Sequence, residues 1–417
     1  MSMEPQDIHN FDLKYKRIKK RLEESDISPR NKRFIKDFDN CCLLEGLSKP
    51  RRIKLLSTVL IIAKKLGKDF DKTIKKDLKE FVIEVESRED YSPYTRQDYK
   101  GTLKKFYKWL VYGDEYKNKQ EYPEIVSWIN TSMKSKDMPR VQASDILSED
   151  EMRRLIDCAE HPRDKAFISI LYELGARIGE IGNLEIRDLT RNKYGFIVDL
   201  KGKTGHRTPI IVVSTPYLIN WLNQHSDPSN PTAPLWILKG GRDKGRKMMY
   251  SSLRAMVRRL VKRAGIKKRV YPHLFRHTRV THLLCTKQIN EAQAKVYFGW
   301  TPDSDQLSQY SHLMSGDANN ALLDMYGVRD PKEKEGKLKP KKCPACNNIN
   351  PGDFLFCGRC SSVLDVKTAI KLDEQRQESD EAIHEFVREL IENNSSAVID
   401  ALRRKPELMN KIKNLAT

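Results

Sequence analysis

The sequence contains no run of roughly 18 consecutive apolar residues, the length at which a helix becomes a candidate membrane span. Its opening residues, MSMEPQDIHNFDLKYK, lack the apolar core of a secretory signal. From these two absences we expect a chain that stays in the cytoplasm. Acidic residues are in deficit: 57 Asp and Glu stand against 77 Lys and Arg, a formal charge of +20. A surplus of this size favours a polyanionic partner, although charge alone does not select one. Cysteine is scarce and unevenly placed. Cys41, Cys42, Cys158 and Cys285 are scattered, while Cys343, Cys346, Cys357 and Cys360 form two tight pairs. In a cytosolic chain that spacing points to metal and away from disulfides. No repeat of the whole chain is visible.

What is present reads as mainly α with a small β-sheet (α+β), in several folding units. Residues 1–115 read as a basic helical module. Leu55, Val59, Ala63 and Leu66 recur at helical spacing and stop at Gly67, and a second helix starts near Ser92 and Pro93 with Tyr99, Leu103, Phe106 and Leu110 on one face. Residues 116–145 turn polar and read as a linker holding one short helix around Ile125 to Ile129. A second domain, 146–327, opens at Ser148, whose spacing to Glu151 is that of a capping box. Phe167 to Ile181 should form a buried helix, followed by the strands GFIVDL and TPIIVV around the turn KGKTGHR. A linker over 328–342, a metal ribbon over 343–362 and a helical tail over 368–417 complete the chain.

The second domain presents, in one order, the groups that phosphodiester transfer without a catalytic metal demands: a nucleophile, cations for the phosphorane-like transition state, and an acid for the departing oxygen. Arg177 lies in GARIGEI, Lys203 in KGKTG, His273 and Arg276 in HLFRH, Trp300 in FGW and Tyr310 in QYSHL. A planar guanidinium can donate two parallel bonds to a phosphate, which an ammonium cannot. Indole N–H can only donate, and histidine titrates near neutrality.

In these motifs and their order the chain resembles the tyrosine recombinases, which include phage-type integrases and the Xer recombinases. SPYTRQDYKGTLKKFYKWL resembles that family's core-binding domain. The resemblance implies a site-specific recombinase acting on double-stranded DNA through a 3′-phosphotyrosyl link, with no cofactor in catalysis. Arg177 and Arg276 would clamp the scissile phosphate, with Trp300 as a third contact. His273, near its ordinary pKa, would assist proton transfer at the nucleophile Tyr310, and Lys203 would protonate the 5′ oxygen. Glu180 would orient its helix. Lys201 stays open as an alternative to Lys203, and Tyr297 and Tyr326 as alternatives to Tyr310. The resemblance also implies a homo-oligomer, a tetramer on synapsed DNA sites, joined through the segment after the nucleophile. A non-catalytic DNA-binding regulator and a relaxing topoisomerase of type IB are the competing functions.

The two cysteine pairs, Cys343 with Cys346 and Cys357 with Cys360, have the spacing of two knuckles around one tetrahedral ion, which we expect to be structural zinc. Four thiolates leave no open position for catalysis. In the tail, Ile383, Phe386, Val387, Leu390 and Ile391 make one apolar stripe, suited equally to packing on the chain's own surface or to joining protomers.

Overall fold

The computed structural model describes residues 7–133, 142, 144–202, 205–285, 289–307, 310, 340–343, 345–352 and 354–364. Lys203, Tyr326 and the tail stripe lie outside them, as do residues 311–339. The described chain is mainly helical with small antiparallel sheets, and no described helix is long and apolar enough to cross a membrane. It divides into two compact units, the first comprising Met1–Ala143, Ile237–Arg254 and Asp305–His312, the second Ser144–Trp236, Ala255–Ser304 and Leu313–Thr417.

The first unit carries helices α1 (Phe11–Glu23), α2 (Pro29–Leu44), α3 (Lys49–Leu66), α4 (Lys75–Ser87), α5 (Pro93–Tyr112) and the short α6 (Glu124–Ser127). Their starts are written in side chains. Asn10, Ser28 and Ser92 accept hydrogen bonds from the backbone N–H groups of Leu13, Asn31 and Thr95, and Pro29 and Pro93 fill first-turn positions whose missing N–H costs nothing. α3 ends where Gly67 takes φ 63°, a left-handed conformation that only glycine adopts without strain. Of the expected stripe of α3, Leu55, Val59 and Ala63 are buried and Leu66 is partly buried, and Phe106 of α5 anchors the core between Phe38, at 5.2 Å between ring centroids, and Phe70, at 4.5 Å.

A buried ionic cluster joins the first three helices. Arg52 of α3 donates through Nε and Nη2 to the Asp39 carboxylate of α2, both at 2.8 Å, and through Nη2 to the Tyr15 hydroxyl of α1 at 2.6 Å; that hydroxyl in turn donates to Asp39. The stretch read as a linker from residue 116 is packed as far as Ile129: Tyr116, Val126 and Ile129 are buried in this same core. Three anchors in a polar stretch are too sparse for a periodic signal.

The second unit begins as the sequence suggests, with Ser148 and Glu151 exchanging backbone and side-chain hydrogen bonds at the start of α7 (Glu149–Asp157). The helix expected over 167–181 is broken. α8 (Pro162–Leu174) stops at Gly175, φ 53°, and α9 (Ile178–Gly182) starts afresh after Arg177. Strands β1 (Leu189–Arg191), β2 (Phe196–Val198) and β5 (Ile210–Ile211) form one sheet. The segment read as a turn is largely a hairpin of its own, β3 (Leu200–Gly202) against β4 (Gly205–Arg207), with Leu200 opposite Arg207. Helices α10 (Thr215–Leu222), α11 (Tyr250–Arg263), α12 (Pro272–Cys285) and α13 (Glu291–Phe298) follow, and the strands β6 (Lys341–Lys342) and β7 (Ile349–Asn350) belong to the cysteine-rich segment. α11 contributes its residues up to Arg254 to the first unit.

Removing one member of a buried ion pair strands the other. Asp39→Ala should therefore lower the unfolding free energy by about 3–5 kcal/mol, measured by urea denaturation of the full chain, with Asp39→Leu, Arg52→Met costing clearly less. A loss below about 1 kcal/mol for the single variant would show that the cluster is solvated in solution.

Candidate active site

The site grows from the end of α8. Gly175 is required there twice over: its φ is left-handed, and a Cβ on it would meet Phe298 Cε1 at 2.6 Å. The chain then leaves the helix and presents Arg177 as the cap of α9, its backbone N–H donating to Glu180 Oε2 at 3.1 Å and its Nη1 to Glu180 Oε1 at 2.8 Å. The Arg177 side chain is about one-third exposed and that of Glu180 is buried. Burial alone would push the Glu180 carboxyl up, but the charge of Arg207 and the hydrogen bonds from Arg177 outweigh it and hold the group below its ordinary value. Arg207, at the end of β4, donates Nη2 to Glu180 Oε2 at 2.7 Å and Nη1 to the Tyr297 carbonyl at 2.6 Å.

Arg276 is buried on α12. Its Nη1 donates to the Gly175 carbonyl at 3.1 Å and its Nη2 to the Phe298 carbonyl at 2.7 Å, and the guanidinium lies 5.4 Å from the Phe298 ring centroid and 5.3 Å from that of Trp300. Carbonyls at the C-terminal ends of α8 and α13 thus receive cationic donors, the sense that the helix dipole favours. Trp300 follows Gly299, whose φ of 61° ends α13, and its indole stacks obliquely on Phe298 at 5.3 Å. His273 lies on the first turn of α12, its ring perpendicular to that of His277 at 4.7 Å.

The surroundings of His273, a residue that keeps part of its surface exposed, shift it from its ordinary pKa. Burial, then the charges of His277, Arg276 and Arg177, bring its pKa down to about 4, with Glu180 pulling weakly the other way. At neutral pH it is an uncharged imidazole, able to accept a proton.

Arg177, His273, Arg276 and Trp300 therefore fall together in the second unit, whereas Tyr310, only 2% exposed, groups with the first. Of the alternatives, Tyr297 donates its hydroxyl to the Glu173 carbonyl at 2.9 Å, and burial pushes its pKa up to about 12, both unfavourable to a nucleophile. Lys201 is exposed, with Nζ 3.4 Å from Asp188 and 3.6 Å from Asp199; these carboxylates raise its pKa, which makes it a poorer acid. Arg207 escaped the sequence reading because nothing in the spacing ties it to a carboxylate 27 residues away.

The four paired cysteines form a second cluster. Their sulfurs all lie within 4.8 Å of one another, with Cys343 to Cys360 and Cys346 to Cys357 both at 3.6 Å. A tetrahedral ion with bonds of about 2.3 Å puts sulfurs roughly 3.8 Å apart, whereas a disulfide needs about 2.05 Å. Two matching knuckles hold them: the N–H groups of Cys343 and Cys357 donate to the carbonyls of Asn348 and Ser362, and Asn347 and Ser361 return the bond with φ near 58° and 59°. The donor set fits a metal ion. Phe354 of this segment packs edge-on against Tyr217 of α10 at 5.3 Å.

Residues 145–316 match the phage integrase family. Tyrosine recombinase XerA of Pyrococcus horikoshii is 28% identical over 138 residues, 33% of this chain and 47% of that protein, so the match spans about half of that relative. A tyrosine recombinase of Thermosipho africanus is 27% identical over 269 residues, 62% of this chain and 86% of that protein. A solved lambda integrase dimer bound to a COC′ core site superposes with a TM-score of 0.51 at 14% identity, over 66% of this chain and 75% of that one, a likeness of fold.

A histidine whose folded pKa lies below its unfolded value near 6.5 leaves the unfolded chain holding more protons between about pH 6.5 and 4. Its contribution to stability is full above the upper limit and is lost as pH falls through that window. His273→Gln should therefore show a smaller drop in Tm between pH 7.5 and 4.5 than the parent, with His277 and His282, both also lowered, supplying the remaining slope. An unaltered slope would mean that His273 titrates normally.

Proposed function

We propose that the chain, whose residues 145–316 match the phage integrase family, is a site-specific recombinase that breaks and rejoins double-stranded DNA through a 3′-phosphotyrosyl intermediate. The observation that carries this reading is the convergence of Arg177, His273, Arg276 and Trp300 around the ends of α8 and α13. Arg177, braced by Glu180, and Arg276 supply positive charge to the non-bridging oxygens, and the Trp300 indole N–H supplies a further donor. The Tyr310 hydroxyl attacks phosphorus, its proton passing to the neutral His273 imidazole. As the Tyr310 oxygen bonds to phosphorus, the bond to the 5′ oxygen breaks and Lys203 protonates that oxygen. The ester keeps the energy of the broken bond, so a 5′-hydroxyl reverses the step without ATP. A Tyr310 that is only 2% exposed must be uncovered before it attacks.

The first unit serves as the core-binding module, and the excess of basic residues holds the phosphate backbone. Assembly follows the solved lambda integrase tetramer bound to a Holliday junction, which shares this fold with a TM-score of 0.51: four copies synapse two sites. In the ribbon, Cys343, Cys346, Cys357 and Cys360 hold one structural zinc, which takes no part in the chemistry.

Two measurements test this reading. On a nicked substrate that traps the covalent adduct, Tyr310→Phe should abolish capture while leaving DNA binding intact, and Arg276→Ala should slow capture by about a hundredfold or more. Adduct formation by the Phe protein would sink the assignment of the nucleophile. Elemental analysis should find one zinc per chain, lost together in Cys343→Ser, Cys357→Ser; a metal-free parent purified without chelator would overturn the ribbon.

A further inference from the structure

Asn350, an uncharged polar residue of the cysteine-rich segment, is 0% exposed. Its backbone belongs to β7, paired with Lys341 of β6, and its side-chain amide uses every bonding position it has. Nδ2 donates to the Asn348 carbonyl at 3.0 Å and to Cys357 Sγ at 3.6 Å, while Oδ1 accepts from the Gly358 N–H at 3.0 Å and from Asn348 Nδ2 at 3.3 Å. A backbone N–H can only donate and a carbonyl can only accept, so these partners fix which end of the amide carries nitrogen. The same bonds tie the two knuckles together. The Asn348 carbonyl also takes the N–H of Cys343 at 2.8 Å, in the first knuckle, whereas Gly358 follows Cys357 in the second.

We infer that Asn350 is a positioning residue of the metal centre: its amide aims Cys357 at the ion and holds the two knuckles at the separation the ion needs. The inference rests on the proposed reading, in which the four cysteines are the ligands of one ion. An apolar side chain would fill the same space at lower desolvation cost, so what the amide adds is its directed donors. Cys357 Sγ also accepts from the Arg359 N–H at 3.4 Å. Four thiolates around a divalent ion carry surplus negative charge, and N–H groups pointed at sulfur spread that charge and orient the thiolate. Without the amide, Cys357 loses a side-chain donor and the second knuckle loses its link to the first.

The test uses the full chain and two variants. Asn350→Ala removes the amide altogether, whereas Asn350→Asp keeps an oxygen for the Gly358 N–H and sets an anion where the donor to Cys357 stood. In competition with a chelating dye, each variant should bind zinc about tenfold to a hundredfold more weakly than the parent. After loading with excess cobalt(II), the sulfur-to-cobalt charge-transfer band should move to longer wavelength in both variants, and further in the Asp protein, because a sulfur that loses an N–H donor gives up its electrons more readily. A side chain that merely filled space would leave the band of the loaded protein in place. Unchanged zinc affinity in both variants, or weaker binding with an unmoved band, overturns the proposal. A parent chain that binds neither zinc nor cobalt overturns instead the reading beneath it. At saturating cobalt the ion itself gathers the knuckles, so the band is read on a formed ribbon even for a variant whose metal-free ribbon fails to fold.

Discussion

Gathering positive charge at one point of a folded chain is opposed by its own repulsion and by desolvation, and the second unit meets that constraint with very little negative charge. One carboxylate, Glu180, is divided between Arg177 and Arg207, and backbone carbonyls at helix ends accept from Arg276. Carbonyls are partial charges. They hold a guanidinium in place without neutralising it, whereas a second buried carboxylate would have cancelled its charge. Much of the local architecture follows from this. Gly175 exists to release the end of α8, Gly202 exists to let β3 approach the carboxylate, and Gly299 ends α13 where its carbonyls are needed.

The same field explains His273. A histidine beside arginines and partly shielded from water gives up its proton, so the arginines of the site also set the protonation state of the imidazoles next to them. Position and pKa come from a single arrangement of charges.

Much of this was legible in the residues. The stripe of α3 and its end at Gly67, the capping box at Ser148 and the paired cysteines are local signals, in which neighbours a few positions apart decide the outcome, and the structure reproduces each. What stayed hidden depends on distant partners. The break at Gly175 could not be seen because glycine in an apolar run reads equally as a tolerated helical residue, and only the approach of Phe298 makes it a stop. The β3–β4 hairpin was hidden by its glycines and lysines, which carry little strand propensity. The packing of Tyr116, Val126 and Ile129 was masked by polar surroundings, and the depressed pKa of His273 depends on desolvation and on the distant Arg177 as well as on its helix neighbours Arg276 and His277.

The burial of Tyr310 has a consequence in time. If Tyr310 is the nucleophile proposed above, a residue that is 2% exposed reacts only in the fraction of molecules that have lifted its cover, and that fraction multiplies the rate of every later step. A contact that releases the cover raises the fraction, while one that does not release it leaves the residue proposed as the nucleophile sheathed. For a chain that acts on DNA as proposed, selectivity then resides less in where it binds than in where it is allowed to wake.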